Sequence, residues 1–285
     1  MMKIGLQMIS VQDMMAEDPV KAIQAVTAVG YKHLEFANHH ARENYGVGFD
    51  ITAKELRTVM ADCGADCIGT HVVPMDMDNL KYIADYHLEA GCTRLTVCGT
   101  FYQTSDDLKR CCENLNAMGE YGKEVGLSLS YHNHFQEYFS LNGKRILDTI
   151  AAETNPNLVD LQLDTYWVYQ GGYDAIEEIR HLGNRIVQLH QKDLPRGTEL
   201  FYRGMDRLGI DRFNEKALRE FSQGFVVTEI GDGVLDIQGI INAANQHTNA
   251  QYIILEHDGK KAHSEIDSIS MSYQNLARFH GIQTD

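Results

Sequence analysis

Eight times along this chain a short apolar run rich in β-formers gives way to a stretch of helical spacing, at intervals of about thirty residues. That rhythm constrains the fold more than any other feature. The strand-like runs are Lys3–Ile9, His33–Asn38, Cys67–Val73, Arg94–Thr100, Leu127–His132, Leu158–Asp164, Ile186–His190 and Tyr252–Glu256. Helices are predicted over Pro19–Val29, Thr52–Gly64, Asn79–Ala90, Ser105–Val125, Lys144–Glu153, Asp174–Leu182, Leu235–Gln246 and Ile266–Phe279. Their ends are punctuated by Asp18 as N-cap, Thr52 and Glu55 as a capping box, and Gly30, Gly64, Gly91, Gly126 and Gly183 as stops. Strands alternating with helices imply βαβ units, hence parallel pairing with right-handed crossovers. Eight such units predict an α/β fold, a closed (β/α)8 TIM barrel spanning residues 1–285 as one domain. The alternative is an open doubly wound sheet, but the first βα turn has no GxGxxG. Only Gln191–Gly233 breaks the rhythm, a polar, Arg-rich segment with one helical fragment at Asn214–Ser222.

Charge narrows the partners. A formal net charge of −15 argues against a nucleic-acid backbone or an anionic membrane as the main partner. Met1–Ile9 is apolar but too short for a signal segment or a membrane span, and reads as the first strand. Cys63, Cys67, Cys92, Cys98, Cys111 and Cys112 show no CxxC spacing. With no secretory signal, the expectation is free thiols in a cytoplasmic protein.

The chemistry gathers at strand ends, which in a closed barrel converge on one mouth. His132 and His134 in LSLSYHNHFQE lie two residues apart, so both imidazoles point to one side. The next three strands end on Asp164, His190 and Glu256. Four consecutive strands thus offer a mixed N/O donor set, His132, Asp164, His190 and Glu256, suited to one divalent cation: Mn²⁺, Co²⁺, Fe²⁺, Zn²⁺ or Mg²⁺. Each residue has a plainer reading. Asp164 can cap a following helix, His190 can pair with Asp193, Glu256 can answer Lys260 or Lys261, and either histidine can be a hydrogen-bonded rim residue. Glu35 and His71 end the second and third strands, and Lys192 shares a face with His190. Trp167 and Tyr166 are candidates for an apolar wall against a sugar ring or aglycone. Arg203 and Arg207 are candidates for an anionic substrate group, or are simply solvated. The Gly231–Gly233 turn is a weak phosphate signal.

The segments HLEFAN, GTHVV, LSYHNHFQEY, LQLDTYWVYQGG, VQLHQKD, TEIGDGVLD and IILEHD, in this order, resemble the sugar isomerase/epimerase superfamily of xylose-isomerase-like barrels. The resemblance implies a divalent ion, often Mn²⁺, at the ends of strands five to eight, held in the usual pattern by Glu, Asp, His and Glu. Asp164, His190 and Glu256 match three of these positions. His132 stands where many members carry the glutamate that also shuttles a proton, which counts against a symmetric two-carboxylate epimerisation. The HNH form looks more like the inosose dehydratase and C-glycoside deglycosidase branches.

The expected activity is that of a metal-dependent isomerase or epimerase acting on a small sugar or keto-sugar. A proton would leave the carbon next to a polarised carbonyl. Glu256 or His134 is the expected base, with Lys192 or His71 holding the substrate oxygen. Glu35, Trp167, Tyr166 and Arg203 are the expected substrate contacts. A lyase on a keto-sugar or keto-inositol is the alternative. Less favoured are an apurinic-site endonuclease, which needs a basic face, and a non-catalytic sugar-binding subunit. The resemblance implies a homo-oligomer, with a second subunit if deglycosidase-like.

Overall fold

The computed structural model describes residues 1–259 and 263–284. Eight parallel strands form the predicted barrel: β1 (Met2–Gln7), β2 (His33–Asn38), β3 (Asp66–Val72), β4 (Arg94–Val97), β5 (Ser128–His132), β6 (Val159–Asp164), β7 (Ile186–Gln191) and β8 (Tyr252–Leu255). Each pairs with its sequence neighbours, and β8 closes on β1 in the register Lys3↔Tyr252 to Leu6↔Leu255. The chain's last strand, Ile282–Gln283, adds outside β1. Closure leaves the eight barrel strands no exposed row of unpaired backbone groups and brings their C-terminal ends round one rim.

The helices form where caps and apolar stripes coincide. Thr52 and Glu55 make the predicted capping box ahead of Ala53–Asp62, and Thr104 with Asp107 makes a second ahead of Ser105–Val125. Helix Ser105–Val125 buries Leu108, Cys112, Leu115 and Met118, and crosses the chain entering β6 with no room for a side chain at Gly119. A Cβ there would lie 2.6 Å from the Leu158 carbonyl oxygen. Gly119→Ala should therefore lower stability by about 1–3 kcal/mol from overpacking, despite alanine's better helix propensity. An unchanged urea midpoint would show that this close approach does not exist.

Four expectations need correction here. Gln191–Gly233 holds two helices, Phe201–Leu208 and Glu215–Ser222, where only the second was legible. The first is amphipathic, burying Phe201 and Met205 behind an exposed face of charged residues. The amides of Gly231 and Gly233 do not face an anion site; both donate to Asp193 Oδ2, at 2.9 and 3.1 Å. Asp193 also accepts from Leu194 and Leu235, so it ties the seventh loop down instead of pairing with His190. Finally, adjacency of β3 and the approach to β4 brings Cys67 and Cys92 into a disulfide, leaving Cys63, Cys98, Cys111 and Cys112 free. Among the described residues no helix is long and apolar enough to cross a membrane.

Candidate metal centre and the cavity above it

The ends of β5 to β8 converge as their sequence positions required. His132, Asp164, His190 and Glu256 each offer one donor atom, all four within 4.8 Å of one another. The middle residue of HNH aligns them: Asn133 donates to the Asp164 carbonyl at 3.2 Å and accepts from its amide at 3.0 Å. Asp164 does two things at once. Its Oδ1 accepts from the Trp167 amide (3.0 Å) and caps the short helix Thr165–Gln170, while Oδ2 faces His132 Nε2 (3.9 Å) and Lys192 Nζ (2.9 Å). The helix-cap reading holds through Oδ1, and Oδ2 is left facing the cluster.

Electrostatics in this buried cup follow from a few facing charges. Burial works to raise Glu256, but the Lys192 ammonium and His190 outweigh it and hold the carboxyl well below its usual range. Burial raises Asp164, and neighbouring Glu256 adds to the effect against the pull of Lys192. Lys192 resists its own burial because Asp164, Asp258 and Glu256 surround it, so it stays an ammonium. His132 is held neutral by burial and by the neighbouring histidines, and its Nε2 has no hydrogen-bond partner in the described structure. A neutral imidazole with a bare nitrogen, beside a second imidazole and two carboxylates, is a donor set that suits a divalent ion. The cluster fits such an ion.

A cavity of about 350 Å³ opens above the cup, walled by Phe101, Phe135, Trp167 and Phe225 and bordered by His134 and Asp258. Burial, then the Lys192 charge, pushes His134 down to about 3, so it is neutral, and its Nδ1 has no partner among the described residues. Asp258 is pushed up to about 6, chiefly by burial; among the described residues its Oδ1 has no hydrogen-bond partner, and it lies 3.7 Å from Lys192 Nζ. Lys192 itself stands between cavity and cup, 5.6 Å from the centre of the Trp167 ring. Sequence reasoning missed Asp258. It follows Glu256 by two residues and so shares its side of the chain, the one signal that could have found it.

Several expected substrate contacts lie elsewhere. Glu35 is fully buried below the cup, where its carboxylate accepts from His190 Nε2, Gln7 and Gln162. His71 lies beside it, 3.3 Å from Glu35 Oε2, with its ring stacked on His190. Neither residue lines the cavity. Tyr166 points away: its hydroxyl donates to the Val226 carbonyl (2.9 Å) and accepts from Gln170 (2.8 Å), bracing the seventh loop. Arg203 and Arg207 sit on the exposed face of helix Phe201–Leu208, bonded to Tyr202 and Glu199, because the helix turns its apolar side inward. Trp167 does line the cavity as expected. Glu256 pairs with His190 at 2.7 Å and with Lys192; Lys260 and Lys261, the other partners considered for it, lie outside the described residues.

The chain is a closed parallel barrel that carries at its rim a His/Asp/Glu cluster fit to hold a divalent ion. The chain belongs to the xylose isomerase-like TIM barrel family, whose pattern it matches over residues 23–274. Among curated proteins it is similar to the inosose dehydratases of Clostridium perfringens, at 26% identity over 161 residues, and of Bacillus licheniformis, at 30% over 160. These matches cover 55% and 54% of this chain, and the chain spans only about half of each relative, 50% and 48%. Among solved structures, a sugar phosphate isomerase/epimerase from Parabacteroides distasonis superposes with a TM-score of 0.77 at 20% identity, covering 99% of this chain and 96% of that one.

Proposed function

We propose that this protein is a divalent-metal-dependent lyase acting on a polyhydroxylated ketone, a keto-sugar or keto-cyclitol, from which it eliminates a β-hydroxyl as water. The observation that carries this reading is a base and an acid flanking one cavity beside the cup: neutral His134, its Nδ1 unengaged among the described residues, and Asp258, whose carboxyl burial pushes up to about 6. Divergent environments of this kind assign base and acid roles. The likeness to inosose dehydratases supports it.

His132, Asp164, His190 and Glu256 would hold the ion. When bound, it supplies Lewis acidity that polarises the substrate carbonyl and acidifies the adjacent C–H. Lys192 places its ammonium where it can donate to the carbonyl oxygen. His134 takes the proton from the neighbouring carbon. The electron pair left behind forms the C=C bond as the β C–O bond breaks, and Asp258 gives its proton to the departing hydroxyl. The aromatic walls exclude water from the enolate.

Isomerase or epimerase chemistry shares the first step. It is favoured by one observation, that Glu256 and His134 approach from different strand ends and so offer two bases. Incubating metal-loaded protein with ketoses, inososes and 3-keto-glycosides in D₂O separates the outcomes. Elimination yields an unsaturated product, whereas isomerisation yields deuterated product of unchanged composition. In Asp258→Asn, elimination should fall at least tenfold, and the loss of rate as pH rises through about 6 should disappear, because the acid that must be protonated is gone. Wild-type-like rates and pH profile in that variant would remove Asp258 from the mechanism.

A further inference from the structure

Below the cup, the interior of the barrel is crossed by amides instead of the usual apolar layers. Gln7, Gln162 and Gln188 are all buried there with Glu35 and His71. Register shifts at Leu34/Glu35 in the β2–β3 pair and at Leu161/Gln162 in the β6–β7 pair fall at two of these residues, as bulges do where a side chain must be re-aimed. The hydrogen bonds of this layer admit one arrangement of protons, and it can be read from its fixed ends.

The Ile68 backbone carbonyl can only accept, and Gln188 lies 3.0 Å from it through the amide nitrogen. The carbonyl oxygen of Gln188 must then face Gln162, at 2.9 Å, so the Gln162 group pointing there has to donate. The same Gln162 nitrogen reaches the Glu35 carboxylate at 2.6 Å, a second partner that only accepts. Gln162 therefore cannot flip without setting oxygen against two oxygens. Its own oxygen faces the other way, toward His132 Nδ1 at 2.9 Å and His71 Nε2 at 2.6 Å. Both ring nitrogens must carry hydrogen.

We infer that Gln162 is a positioning residue that fixes His132 as its Nδ1–H form and so presents the bare Nε2 to the ion. The inference rests on the metal-site reading for its consequence, though not for its geometry. An imidazole in water favours the opposite form, with hydrogen on Nε2, which cannot bind a metal through that atom. The group bonded to one ring nitrogen decides the state of the other, and such supporting bonds set ligand quality. Here the support is a neutral amide whose orientation is enforced from Ile68 by way of Gln188.

Long-range ¹H–¹⁵N correlation spectra of ¹⁵N-histidine-labelled, metal-free protein test this directly, with His132→Phe identifying the resonances. The wild type should show a protonated Nδ1 and a bare Nε2 at His132. Gln162→Leu, and Gln162→Met should the first fold poorly, should shift His132 toward Nε2–H. Either variant should weaken Mn²⁺ or Zn²⁺ binding, measured by calorimetry, by about ten- to a hundredfold. An Nε2–H signature in the wild type overturns the inference, as does unchanged ion affinity in a folded Gln162 variant. Failure of the wild type to bind either ion, with the expected His132 signature, would instead overturn the metal-site reading and leave the proton arrangement standing.

Discussion

Asp164→Asn and His190→Ala should each abolish stoichiometric uptake of a divalent ion and with it deuterium exchange next to the substrate carbonyl. Asparagine is nearly isosteric with aspartate and retains an oxygen for the Trp167 amide, so the cap of helix Thr165–Gln170 survives and the barrel folds. What changes is the other head atom. An amide nitrogen where Oδ2 now faces His132 and Lys192 offers a donor to a cation and to an ammonium, and neither can use it. His190→Ala removes the ring that bridges Glu35 and Glu256 and leaves both carboxylates short of a partner. Loss of the ion should lower kcat/KM at least a thousandfold, roughly 4 kcal/mol of transition-state stabilisation. Metal content after dialysis and a D₂O exchange assay check this together. A variant that retains one equivalent of ion removes its residue from the ligand set.

That cluster was legible because the barrel converts sequence order into spatial order. A residue that ends a strand arrives at the rim, and residues ending consecutive strands arrive side by side, so the positions of His132, Asp164, His190 and Glu256 were enough to place them together. The arithmetic failed wherever position depended on a loop or on the inside of the barrel. The polarity of its segment suggests that Arg203 faces substrate, but the segment folds into a helix whose apolar stripe, Phe201 and Met205, decides which side faces inward. Glu35 ends no strand; it lies within β2 at a register shift, and its carboxylate meets two histidines instead of solvent. Tyr166 and Trp167 are adjacent on one short helix and so must diverge, one bracing the seventh loop and the other lining the cavity. Gln162 carries no charge and no motif. Its role depends on contacts with β2, β3, β5 and β7, which no local pattern encodes.

Lys192→Met should destabilise the metal-free protein by about 3–5 kcal/mol, the cost of removing one partner from a buried charge cluster. The ammonium is held by Asp164 at 2.9 Å, by Glu256 more closely still, and by Asp258 at 3.7 Å. Methionine fills much of the same volume and answers none of those charges. The carboxyls then respond as buried acids do, with folded-state affinities for protons raised above their unfolded values. Stability contributed by such a group is complete below the unfolded pKa, near 4, and is lost as pH rises through the folded value. For Asp258 that value is already about 6 with the ammonium in place, and it climbs when the ammonium is removed. The deficit should therefore be small in mild acid and full above neutrality. A divalent ion neutralises Asp164 and Glu256 in place of the ammonium and stabilises only the folded chain, so saturating Mn²⁺ or Zn²⁺ should raise the melting temperature of the variant more than that of the wild type. Thermal denaturation of both proteins at two pH values, with and without ion, gives the eight numbers required. A metal-free variant that melts with the wild type at both pH values would mean that the lysine carries no electrostatic load in the cup, and its role as donor to the carbonyl would fall with it.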